Sequence, residues 1–246
     1  MIVREIMARS ILSKSKVYDY VVNPYIGCQH GCSYCYARFM KRFSGHSEPW
    51  GEFVDVKVNA ADLLRQEIKK KKGRVWVSGV CDPYQPLEAK YRLTRRCIEI
   101  LIGENWPVTV QTRSPLVLRD IGLLKMSNDM EVGMTVTTAD DAVRQLFEPH
   151  APSIKERIEA LGELHSAGIS TYGMIAPMLP GVGKLAAQLR GKVNYVLIDR
   201  MNYHYGDWVY KKHRLEPAMG DEFFTQKGRQ LASAFETENI DCRLLY

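Results

Sequence analysis

Gly27-Cys28-Gln29-His30-Gly31-Cys32-Ser33-Tyr34-Cys35-Tyr36 places three cysteines on one short loop, spaced C-x3-C-x2-C, with an aromatic directly before the third. Three thiolates suit three irons of a [4Fe–4S] cube, because such cubes are held by cysteine sulfur. No fourth cysteine lies nearby, so one iron is left open for a small molecule. Gly27 and Gly31 let the backbone fold tightly around a cube. The competing metal reading is structural zinc, on Cys28, Cys32, Cys35 and a histidine such as His30 or His46. Structural zinc prefers two separated pairs, and the chain has no second pair. A disulfide reading leaves one thiol of the triplet over.

The loop follows a β-branched run, Asp19 to Pro24, and the rest of the chain continues in alternation. Strand-like runs are Glu52 to Val58, Arg74 to Val80, Pro107 to Thr112, Glu131 to Thr137, Ser170 to Ala176 and Val193 to Asp199, with Glu52 to Val58 able to lie outside the sheet. Helix-like runs are Tyr36 to Arg42, Ala60 to Lys71, Thr94 to Glu104, Val117 to Met126, Ile154 to Ala167, Lys184 to Leu189 and Asp221 to Asn239. Ile154, Ile158, Leu161 and Leu164 keep a three-to-four spacing. Ser153 and Glu156 form a capping box ahead of them, and Gly168 closes the helix. Such βα order predicts a parallel sheet with helices packed outside. The expected fold is α/β, a partial (β/α)6 TIM-like barrel. One domain is expected over 1–246, with a core at about 19–202 and a C-terminal extension, 203–246, packed on it.

In such sheets chemistry gathers at the carboxyl ends of strands. Cys81 and Asp82, Arg113 and Ser114, Thr137 and Thr138, Pro177 to Gly181, and Arg200 to Asn202 all follow predicted strands, as the cysteine loop does. Asp82 precedes a proline and therefore sits in an extended turn, where its carboxylate can hold an ammonium group or cap the turn. Thr135 and Thr137 share a strand face if the strand runs through them. Cys81 by itself reads as a small buried hydrophobe, as most free cysteines do. Arg157 is expected to pair with Glu148 or Glu159 as scaffolding.

The 246 residues suffice for a sizeable core, and 46% hydrophobic with 25% charged residues is ordinary for a globular chain. No apolar stretch is long enough to span a bilayer, and nothing resembles a signal peptide. Six cysteines, three of them clustered, do not make a secreted disulfide framework, so a cytoplasmic, reducing setting is expected. The net charge of +6 is mildly basic. The runs Lys69 to Lys72, Lys41-Arg42 and Lys211-Lys212-His213-Arg214 make phosphate-backbone contact a plausible use of that charge. The aromatic loop Tyr203 to Trp208 can stack on a base or pack on a rim.

The cysteine motif resembles that of the radical S-adenosylmethionine (SAM) enzymes. Within them the chain is similar to the spore photoproduct lyase-like family, also labelled DNA repair photolyases. The resemblance rests on Asn23-Pro24-Tyr25-x-Gly27-Cys28, Cys32-Ser33-Tyr34-Cys35-Tyr36-Ala37, Asp82-Pro83-Tyr84-Gln85-Pro86-Leu87-Glu88, Thr94-Arg95, Glu148-Pro149, Ala151-Pro152-Ser153, Arg157 and Pro177-x-x-Pro180-Gly181. It implies a [4Fe–4S] cluster on Cys28, Cys32 and Cys35, with SAM at the open iron. It also implies reductive cleavage of SAM to methionine and a 5′-deoxyadenosyl radical, then abstraction of a substrate hydrogen. Cofactor contacts are implied for Tyr34, Tyr36, Asp82, Arg113, Thr135 and Thr137. A hydrogen-donor role is implied for Cys81, and radical relay for Tyr34 and Tyr36. The implied substrate is a thymine photoproduct in DNA, and the implied partners are a reductant such as flavodoxin or ferredoxin and a nucleic acid. The alternatives are radical modification of RNA, a peptide or a metabolite, and a non-catalytic zinc or iron–sulfur module.

Overall fold

The structure is a computed structural model that describes residues 1–246. The chain forms two compact units, one of residues 1–31 and 37–132, the other of residues 32–36 and 133–246.

The first unit contains β1 (Ile2–Ile6), β2 (Leu12–Lys14), β3 (Tyr20–Val22), β4 (Tyr25–Ile26), β5 (Phe53–Lys57), β6 (Val75–Val77) and β7 (Val108–Thr112). Its helices are α1 (Ala60–Glu67), α2 (Glu88–Tyr91), α3 (Leu93–Gly103) and α4 (Ile121–Leu124). β3, β6 and β7 run parallel, with Val22 opposite Val77 and Val77 opposite Val110, and β2 adds an antiparallel edge. Val22, Val75, Val77, Val108 and Val110 have no exposed surface. They stand at alternate positions in register, so they mark one fully covered face of the sheet. β5 leaves this sheet and pairs parallel with β1 and antiparallel with β4. The strand ahead of Cys81 is shorter than Arg74 to Val80, because Ser78 turns to a φ of 66° and breaks the extended run. The Val117 to Met126 helix divides into a 3₁₀ helix, Pro115–Asp120, and α4, and the Tyr36 to Arg42 helix is a 3₁₀ helix, Tyr36–Phe43.

β8 (Met130–Thr135) begins in the first unit and ends in the second. The second unit continues with α5 (Asp141–Phe147), α6 (Ile154–Ser166), β9 (Ser170–Ile175), α7 (Leu185–Leu189), β10 (Tyr195–Ile198), α8 (Asp207–Lys212), α9 (Asp221–Thr237) and β11 (Asp241–Leu244). β9, β10 and β11 are parallel neighbours. β11 therefore joins the sheet, and residues 203–246 contribute a strand as well as helices. β8 stops at Thr135, so Thr137 lies in the turn beyond it. The capping box of Ser153 and Glu156 is formed at the start of α6, and Gly168 takes a φ of 82° after its end. Ile154, Ile158, Leu161 and Leu164 are the buried stripe. The mostly parallel α/β architecture is thus present, in open form: β2 and β11 each have a strand on one side alone.

Candidate functional site

The cysteine loop is built tightly at its start. Gly27 has a φ of 91°, and a Cβ there would lie 2.3 Å from the Phe53 carbonyl oxygen. Any side chain is excluded by that contact and by the backbone conformation together. The buried Gln85 side chain accepts from the Gln29 amide at 3.0 Å and donates to the Gly27 carbonyl at 3.3 Å. Gln29 in turn accepts from the Leu87 amide at 2.6 Å. The Asp-Pro-Tyr-Gln-Pro run thus cradles the backbone that carries Cys28.

Asp82 organises the polar interior of the first unit. Its Oδ1 accepts from the Thr112 hydroxyl at 2.6 Å and the Tyr84 amide at 2.8 Å. Its Oδ2 accepts from the Arg113 amide at 2.7 Å and lies 3.3 Å from His30 Nε2. Burial alone would raise this carboxyl, but the neighbouring His30 and the bonds from Thr112 and Arg113 outweigh it and bring it down to about 2. Ser114 caps the following 3₁₀ helix through the Leu116 amide. Cys81 is half-buried against Tyr25, Val54, Val56 and Leu93. Burial pushes its thiol up to about 12.

The second unit holds the remainder of the loop. Cys32 and Tyr34 are buried with Phe147, Leu179, Val209 and Tyr210, and Cys35 packs against this cluster. The Cys35 amide donates to the Cys32 carbonyl at 3.2 Å, and Ser33 N–H donates to Phe147 O at 2.8 Å. The Tyr34 hydroxyl donates to Glu148, whose carboxylate also accepts from Thr137 at 3.0 Å and from Arg157. Glu148 and Arg157 are wholly buried. Arg157 further donates to the carbonyls of Pro152 at 2.9 Å and Thr135 at 3.1 Å. Tyr36, by contrast, is 41% exposed and stacks on Tyr203.

Within the first unit the structure brings Asp82 and Arg113 together, with Cys81 adjoining Asp82. Within the second it brings Tyr34, Thr135 and Thr137 onto the Glu148–Arg157 pair and leaves Tyr36 outside that network. Sequence reasoning assigned no part to Gln29 and Gln85, and saw no partner for His30. For Gln85 the available signal was its place inside Asp-Pro-Tyr-Gln-Pro. Nothing local marks His30 as the neighbour of Asp82, because the two stand 52 positions apart in the sequence and meet only in the fold.

Thiolate sulfur is the ligand chemistry an iron–sulfur cube takes. Cys28, Cys32 and Cys35 are all free of disulfides, and a glycine-cradled turn precedes the first of them. Comparison with known proteins agrees. Residues 22–184 match the radical SAM superfamily, and the chain belongs to it. It is therefore an enzyme of the class that uses a [4Fe–4S] cluster and SAM. An uncharacterised protein of Methanocaldococcus jannaschii is 38% identical over 178 residues, which are 72% of this chain and 67% of that protein. A radical SAM Nα-GlyT isomerase of Pseudomonas phage M6 is 26% identical over 165 residues, 66% of this chain and 34% of the isomerase. Spore photoproduct lyase complexed with dinucleoside spore photoproduct shares the fold with a TM-score of 0.74 at 16% identity, over 99% of this chain and 82% of the lyase.

Proposed function

We propose that the chain acts on a thymine photoproduct in DNA, opening it by hydrogen-atom abstraction, with Cys81 returning a hydrogen. When bound, the cluster and SAM supply a 5′-deoxyadenosyl radical, using an electron from a small donor such as flavodoxin or ferredoxin. Cys28, Cys32 and Cys35 would hold the cluster.

The place of Cys81 carries this reading. It packs against Tyr25, Val54, Val56 and Leu93 beyond the end of β6, and burial raises its thiol, which favours the S–H that a hydrogen-atom donor presents. It sits directly before Asp82, whose bonds to Thr112, Tyr84 and Arg113 hold the turn rigid. The likeness to the lyase complexed with its dinucleoside supports the choice of substrate. Asp82 and Thr137 use their polar side-chain atoms inside the protein, and we read both as positioning residues. Arg113, Thr135 and Tyr36 retain the cofactor-contact role. Tyr34 and Tyr36 are the relay tyrosines of this scheme, and Glu148 offers Tyr34 a proton acceptor. A second reading, favoured by the name of the phage relative, is radical isomerisation of a modified substrate.

The test is anaerobic incubation of reduced, reconstituted enzyme with SAM and DNA carrying the photoproduct, measuring 5′-deoxyadenosine and restored thymine together. Both should rise above a no-SAM control, and Cys28→Ala should produce neither. Deoxyadenosine without restored thymine would overturn the substrate assignment. In Cys81→Ala, cluster content and SAM cleavage should persist while the products change; unchanged products would return Cys81 to the core.

A further inference from the structure

We infer that Tyr36, Tyr203 and Tyr205 form a stacking platform for the bases of a single-stranded stretch of nucleic acid, with the basic end of α8 taking the phosphates. The inference deepens the nucleic-acid reading above and rests on it. The three rings form a ladder. Tyr36 and Tyr203 have centroids 6.3 Å apart and planes 22° from parallel, and Tyr203 and Tyr205 follow at 5.9 Å and 11°. These separations belong to offset stacks, which leave part of each face open. The exposures agree, at 41%, 51% and 41%. Three large rings aligned at the surface form an apolar patch of the kind that marks an interaction site.

A Cβ at Gly206 would come within 3.2 Å of Tyr34 Cβ, so the backbone directly after Tyr205 lies close against Tyr34 of the cysteine loop. Charge complementarity selects the occupant. Trp208, 53% exposed, carries the Lys212 ammonium 6.0 Å from its ring centroid. Lys211, His213 and Arg214 follow, all exposed. The acid in this stretch, Asp207, is engaged by His204 at 3.0 Å. Flat rings beside a run of cations match the stacking-plus-phosphate recognition of unpaired strands, which tolerates any base because every base has a π-face. An acidic peptide would satisfy the cations but has no use for three parallel rings.

The experiment uses anaerobically reconstituted full-length enzyme and a short fluorescein-labelled oligothymidylate, with anisotropy read at low and moderate salt. Tyr203→Ala/Tyr205→Ala should bind about tenfold more weakly or worse, and Tyr203→Trp/Tyr205→Trp should bind like the parent. Lys211→Ala/Lys212→Ala should weaken binding and flatten its salt dependence. Iron content and deoxyadenosine release without oligonucleotide should be unchanged in all three. Unchanged affinity in the alanine pair, or equal binding of an abasic oligomer, would overturn the platform. Oligothymidylate binding with this variant pattern, alongside no restored thymine, would support the platform while overturning the photoproduct substrate.

Discussion

At Cys81 the thiol's environment sets both its chemistry and its pH behaviour. A free thiol ionises near 8.5, whereas burial takes Cys81 to about 12. The folded state therefore favours the neutral form. The stability this contributes is complete below about pH 8.5 and is lost as pH rises toward the folded value. At pH 8 the thiolate is therefore a minor species. Iodoacetamide should consequently leave Cys81 unmodified at pH 8 in the native enzyme and modify it readily after unfolding in urea, as peptide mass spectrometry would show. Rapid native alkylation would remove the protonated-donor argument. Gly27 makes the second residue-scale prediction. Its left-handed backbone and the 2.3 Å approach to Phe53 leave no room for a methyl group. Gly27→Ala should cost about 3 kcal/mol or more and lower bound iron, read by urea midpoint and iron assay.

Among the elements, α5 and α6 matter most for the cysteine loop, since Glu148 follows the first and Arg157 lies in the second. Their buried pair receives the Tyr34 hydroxyl and so ties the loop to the helices of its own unit. Breaking a buried pair leaves an uncompensated charge, which costs about 3–5 kcal/mol. Glu148→Gln should lower the urea midpoint accordingly. Ser153→Ala, which removes only the α6 cap, should cost about 1 kcal/mol. Equal effects of Glu148→Gln and Ser153→Ala would mean that the pair is not a structural hub. The same comparison separates the capping box, which was readable from four consecutive residues, from the Glu148–Arg157 pair, which was readable only as one of two choices for Arg157.

For the whole molecule, no helix is long and apolar enough to cross a membrane, and the net charge is +6. If nucleic acid is the substrate, raising salt should weaken its binding steeply, because phosphate neutralisation releases counterions. A salt-independent affinity for oligonucleotide would assign the basic runs to solvation alone. The sequence by itself determined the βα alternation and the capping box, and it supplied the C-x3-C-x2-C spacing from which the cluster ligands are proposed. Each depends on spacing within a few residues or one turn, where covalent geometry settles the outcome. The strands at the margins escaped it: β1 is almost wholly exposed and mixed in charge, and β4 has only two residues. Only the tertiary structure decided that Gln85 cradles Gly27, that His30 faces Asp82, that Thr137 lies past the end of β8, and that Tyr34 finds Glu148 across 114 residues. A buried polar group must be paired to be tolerated, and its partner is whichever group packing brings into reach, so residue type declares the need while the fold makes the match.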